Sequence, residues 1–107
     1  MSIIITARGA GMGAWLDEDF SHARQVVVVE GGSFQAWENP FREQGDGAAL
    51  ARQMLEEVPN IDGVITARID VETRQVFREH GIPVFLADQG AVLDLVEAAG
   101  KNALTRT

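Results

Sequence analysis

The dipeptide Asn39-Pro40 divides the chain into two kinds of sequence, and that division limits the folds open to it. Proline cannot donate to a strand ladder and steers the residue before it away from helical backbone, so a strand ending at Glu38 must stop there. Ahead of the break, Gln25 to Glu30 with its consecutive valines and Ser33 to Glu38 are separated only by Gly31-Gly32, the signature of a two-residue β-hairpin. Beyond it, apolar runs of strand length alternate with segments of helical periodicity.

Taken in order, Ser2 to Thr6 reads as a buried strand, β-branched and apolar on both faces. A Gly-rich loop from Arg8 to Gly13 and an acidic Asp17-Glu18-Asp19 step lead to the hairpin. Ala48 to Glu57 forms the first helix, with Asp46 as its N-cap between Gly45 and Gly47, a core-facing stripe of Leu50, Met54 and Val58, and an end at Val58-Pro59-Asn60. Gly63 to Ala67 is the fourth strand, Asp70 caps a helix from Val71 to His80 that stops at Gly81, Pro83 to Ala87 is the fifth strand, and Gly90 opens a third helix ending at Gly100. The tail from Lys101 is expected to fray. Strands joined by single helices require right-handed parallel crossovers, so strands 1, 4 and 5 should be parallel with the hairpin on one flank. The expectation is one α/β domain over residues 1–107, a layered fold with a five-stranded mixed sheet and three helices.

Ligands of such sheets bind outside the carboxyl ends of the parallel strands. Arg8 follows strand 1 and Arg68 follows strand 4, so both should face one crevice, with Arg24 near it. Lysine occurs once among nine basic residues, a bias toward side chains that grip oxyanions through a planar fork. Arg8, Arg24 and Arg68 could therefore line an anion site, with loop N–H groups around Gly11 and at the start of the first helix (Gly45, Asp46, Gly47) as further donors, or each could be an ordinary solvated arginine. His22 reads as a metal ligand or as a solvent-facing loop residue, Met12 as a soft ligand or as packing, and Asp46 as a cap or as part of the site. His80 suits a helix C-terminus. Trp15 and Phe20 are expected to cover one end of the core.

Composition narrows the choice of partner. A net charge of −7 and a pI of about 4.6 argue against nucleic acid and acidic membranes. With no cysteine there is neither a disulfide framework nor a thiolate ligand. The run Ile3-Ile4-Ile5 is too short for a signal peptide and no later run approaches a membrane span, so a cytoplasmic protein, monomeric or weakly dimeric, is expected. Gly9-x-Gly11-x-x-Ala14 after a strand imitates a dinucleotide fingerprint, but the acidic step interrupts the helix that motif needs and the hairpin replaces its second crossover. A two-metal nuclease would want carboxylates inside strands 1 and 4, and there are none. A small regulatory interaction module without any ligand stands as the alternative to a binding protein.

Four pieces of the chain together carry a resemblance: Asp19-Phe20-Ser21-His22-Ala23, the Glu38-Asn39-Pro40 break, Gly45-x-Gly47-Ala48 at the helix start, and Gly81-Ile82-Pro83-Val84. They resemble the dinitrogenase iron-molybdenum cofactor-binding family over nearly the whole chain. That resemblance implies a ribonuclease H-like fold and a non-enzymatic carrier of an anionic molybdenum-containing metal–sulfur cluster (Mo-Fe-S or Mo-Cu-S), held noncovalently and exchanged with cofactor-assembly proteins. It implies a cofactor site at Arg8, Gly11, Met12, His22, Arg24, Gly45, Asp46, Gly47 and Arg68, with His22 on the metal. Many relatives have Gly-His-Gly where this chain has Gly45-Asp46-Gly47, and a Gly-rich step where it has Arg68-Ile69-Asp70.

Overall fold

A computed structural model describes residues 2–11, 13–101 and 103–106. In chain order the elements are β1 (Ser2–Ala7), β2 (Gln25–Glu30), β3 (Ser33–Glu38), α1 (Gly47–Glu57), β4 (Ile61–Thr66), α2 (Val71–Glu79), β5 (Val84–Leu86), α3 (Val92–Gly100) and β6 (Thr105–Arg106). The strands form one mixed sheet in the order β3-β2-β1-β4-β5-β6. β1, β4 and β5 run parallel, while β2 and β3 pair antiparallel as the hairpin and β2 is antiparallel to β1. Among the described residues, no helix is long and apolar enough to cross a membrane.

Period-two alternation in the central strands supplies two cores. Ile4, Val26, Val28 and Val64 point to one face, where Leu50, Ala51 and Met54 of α1 and Val76 and Phe77 of α2 cover them. Ile3, Ile5, Val27, Val29 and Ile65 point to the other, under Val92, Leu95 and Ala99 of α3. This explains why β1 is buried at all six positions and why its sequence shows no polar alternation. Gly63 is required in β4 because the Phe85 ring lies across it, 3.0 Å from where a Cβ would stand. The hairpin turns at Gly31, whose φ of 61° lies in the left-handed region.

Two expectations need correction. The sheet has six strands, not five: Thr105 and Arg106, expected to fray, pair antiparallel with Leu86 and Phe85. The return is set up by Ala103, whose N–H bonds to the Ala98 carbonyl, and by Leu104 packing against the α3 core. A two-residue strand carries no periodicity, so nothing in the sequence announces it. Trp15 does not cover the core, being 47% exposed, whereas Phe20 is fully buried edge-on to Phe77 with ring centroids 5.5 Å apart.

Ile65 is fully buried in β4, between β1 and β5. Ile65→Ala should destabilise the fold by about 2–5 kcal/mol in urea denaturation. A loss under about 1 kcal/mol would contradict its place in a close-packed centre.

Candidate functional site

The carboxyl ends of β1 and β4 are roofed by the chain itself. Residues 15–20 lie across them, held by backbone hydrogen bonds from Asp17 N–H to the Thr6 carbonyl (3.1 Å), from Arg68 N–H to the Glu18 carbonyl (2.7 Å) and from Phe20 N–H to the Arg68 carbonyl (3.0 Å). Beneath this strap the hydroxyls of Thr6 and Thr66 meet at 2.9 Å, fully buried, and Thr6 also donates to the Asp17 carbonyl. Among the described residues from 8 to 14 none is helical, and β1 to β2 is antiparallel, so no crossover of a dinucleotide site is built here.

Because the strap fills the switch point, the open space lies to one side, toward β2 and β3. A cleft of about 460 Å³, within the usual range for small-ligand sites, is lined by Arg8, Arg24 and Arg42 together with the carboxylates Glu38 and Glu43 and the amides of Gln25, Asn39 and Gln44. A contiguous hollow brings the same three arginines to Asp17, Glu18 and His22. Arg8 and Arg68 converge as expected, but on a carboxylate: Arg8 Nη2 lies 3.7 Å and Arg68 Nη2 3.2 Å from the two oxygens of Glu18. Among the described residues neither Arg24 nor Arg42 makes an ion pair. The Asp17 carboxylate is spent on backbone, accepting from the N–H groups of Glu18 and Arg24 at 3.0 Å each.

Three loops are knitted together behind the cleft. Asp70 caps α2, accepting from Thr73 N–H at 3.2 Å and from the Thr73 hydroxyl, and it also accepts from the Ser21 hydroxyl at 3.2 Å. Buried Asn39 donates to the Ser21 carbonyl and accepts from Phe41 N–H, so the break at Asn39-Pro40 is also an anchor. Gly47 sits where a Cβ would collide with the Ser21 and Thr73 hydroxyls, and Gly45, at φ 64°, where a Cβ would collide with the His22 imidazole. The Gly45-x-Gly47 spacing is thus the condition for these loops to approach.

His22 Nδ1 lies 2.9 Å from Asp19 Oδ2. An ionised carboxylate only accepts, so Nδ1 carries a hydrogen, and Nε2 is the ring nitrogen that Asp19 does not hold. Asp46 caps α1, accepting from Ala49 N–H at 3.0 Å, and Gly47 N–H bonds to the Gly45 carbonyl. The Gly45 and Asp46 N–H groups bond to the Phe41 carbonyl, so all three donors expected to serve an anion at the start of the helix are already satisfied within the chain. Gly11 lies in the turn closed by Ala14 N–H to its carbonyl and does not line the arginine cleft. Met12 lies outside the described residues. His80 bonds through Nδ1 to the Val76 carbonyl at the end of α2, away from the cleft. Among the described residues, no three His, Cys, Asp or Glu side chains group to hold a metal ion.

Arg42, Glu18 and the Ser21–Asp70–Thr73 network were not singled out from sequence. Arg42 is an exposed loop residue without periodicity, and the acidic run holding Glu18 reads only as an interruption. The cues available were Asp70, read only as the cap of α2, and Ser21, inside the motif that carried the resemblance.

The family model described as dinitrogenase iron-molybdenum cofactor matches residues 1–102. No curated protein matches the sequence significantly. Among solved structures, the apo form of the orange protein from Desulfovibrio gigas is similar with a TM-score of 0.88 at 20% identity, over 99% of this chain and 92% of that one. A Thermotoga protein of the DUF35 family, solved by NMR, gives 0.81 at 15% identity over 96% and 90%. A candidate dinitrogenase from Methanocaldococcus jannaschii gives 0.71 at 16% identity over 100% and 94%. At these identities the likeness carries the fold.

Burial raises the pKa of Asp70, but the hydrogen bonds from the Thr73 side chain, the Thr73 N–H and Ser21 outweigh it and hold the carboxyl below its ordinary 3.8. A depressed folded-state value contributes stability that is present above the unfolded value and lost as pH falls through the folded one. Asp70→Asn should therefore be less stable than wild type near neutrality, with the gap closing below about pH 4. A gap independent of pH in thermal melts would contradict this role.

Proposed function

Because the chain belongs to the dinitrogenase iron-molybdenum cofactor family, we propose that it binds and escorts an anionic metal–sulfur cluster or its thiomolybdate precursor, without catalysing a reaction. The observation that carries this reading is the cleft in which Arg8, Arg24 and Arg42 meet, with Arg24 and Arg42 free of ion pairs among the described residues. Guanidinium groups donate in a fixed fork to the sulfur or oxygen shell of such an anion. A chain without cysteine offers no thiolate to its metals, so the donor set suits a cargo gripped from outside and handed on intact. His22, whose Nδ1 is held by Asp19 and whose ring packs against Gly45, is the residue for a direct contact to copper or iron through Nε2, with Asp46 and Gly47 next to Gly45 at the start of α1.

Glu18 is the internal competitor. Its carboxylate holds Arg8 and Arg68 in pairs whose side chains are 51–70% exposed, and each such pair is worth about 1 kcal/mol or less. A multiply charged cargo can displace it at little cost, which frees both arginines. The family's description, which names an iron-molybdenum cofactor, is the context for a Mo-Fe-S or Mo-Cu-S identity. The ribonuclease H-like grouping, a cytoplasmic setting and exchange with cofactor-assembly proteins belong to the same reading.

Titration with tetrathiomolybdate, alone and with copper or iron, followed in the visible spectrum at fixed salt, tests it. Arg8→Ala and Arg24→Ala should each weaken binding about fivefold, a loss of roughly 1 kcal/mol for an exposed charge-assisted contact. Asp46→Asn should tighten it by removing a repelling charge, and Asp46→His should do so further by adding a nitrogen ligand. Equal affinity in wild type and both arginine variants would overturn the site.

A further inference from the structure

The two edges of the sheet are managed differently. On one side, β6 covers β5 with a strand of two residues. On the other, β3 presents six residues without proline or lysine, and its only charge is the terminal Glu38. The two-residue turn makes Glu30 and Ser33 the closing hydrogen-bonded pair, and the register then alternates, so Ser33, Gln35 and Trp37 bond to β2. The N–H and C=O groups of Phe34, Ala36 and Glu38 consequently point outward. Natural sheets usually block such an edge.

Beside it lies a mixed groove between β3 and the C-terminal end of α1, where Val28, Trp37, Val58 and Pro59 supply the apolar lining and Glu30 and Glu57 are part of a larger polar lining. On the opposite face of β3, Phe34 is 43% exposed. Ser2 of β1 pairs with Glu30, so this groove lies toward the end of the sheet opposite the arginine cleft, which the edge of β3 reaches at Glu38.

We propose that the free edge of β3 docks an extended segment of a partner protein, apolar at alternate positions and flanked by lysine or arginine. The added strand takes the outward backbone groups, one set of its side chains enters the groove against Trp37 and Val58, and the other covers Phe34. The basic flanks are set by Glu30 and Glu57 and by the net charge of −7. A second copy of this chain is the poorer occupant, since it brings the same carboxylates to the same edge.

The test uses two blocked hexapeptides, Lys-Val-Thr-Val-Thr-Lys and the same sequence with Glu at both ends, titrated into the isotopically labelled full chain. The lysine peptide should protect the amides of Phe34, Ala36 and Glu38 from hydrogen exchange and bind about tenfold tighter than its acidic twin. Ala36→Pro should abolish binding while keeping the circular dichroism of the fold, since it removes an N–H not used by β2. The double variant E30K/E57K, which leaves the strand untouched, should reverse the peptide preference. No protection at these amides, equal binding of both peptides, or self-association through β3 in sedimentation would each overturn the proposal.

Discussion

The functional end of the molecule depends on residues 15–20 being paired, backbone to backbone, with the carboxyl ends of β1 and β4. In an open α/β sheet this is where a ligand would enter, and here the chain occupies the place itself. The strap buries Leu16 and Phe20, which anchor it to the core on opposite faces of the sheet. It also delivers Glu18 between Arg8 and Arg68 and sets Asp17 against the N–H of Arg24. The arginine cleft is what remains beside the strap, so its position follows from a backbone constraint and its chemistry from the side chains that the constraint leaves free.

Electrostatics alone would not have chosen this site. The protein is acidic overall, and even the cleft has Glu38 and Glu43 in its lining. What distinguishes the cleft is how its charges are engaged. Asp17 is consumed by backbone donors and Glu18 by two exposed pairs, while Arg24 and Arg42 keep unpaired guanidiniums among the described residues. Exposed pairs are weak and screened, so an anion of higher charge can compete for Arg8 and Arg68 without disturbing the fold. The buried contacts are of another kind: Asn39, Ser21, Asp70 and Thr73 tie three loops into one support, and the missing side chains of Gly45 and Gly47 let them close.

Most of the fold was legible because its signals are periodic or exclusive. The hairpin follows from Gly31-Gly32, the parallel strands from alternation with helices, and the two helix caps from Asp46 and Asp70, each found accepting from the expected N–H. The sixth strand was not legible, since two residues have no period and their pairing depends on Leu104 finding the α3 core. In the site, Arg8, Arg24 and His22 do share a hollow, and Arg68 joins them through Glu18, whereas Gly11 does not line it. Arg42 and Glu18 escaped because a loop residue's partners are decided by tertiary approach, which no local pattern encodes.

In the proposed function an anionic thiometalate occupies the arginine cleft and displaces Glu18, and arginine side-chain N–H resonances, followed by NMR during titration with tetrathiomolybdate, report on both events. The Nε–H signals of Arg8, Arg24 and Arg42 should shift together and saturate with one affinity, Arg68 should follow as its contact with Glu18 breaks, and Arg52, Arg74 and Arg78 should stay still. Shifts spread evenly over all arginines, or confined to residues outside the cleft, would contradict it.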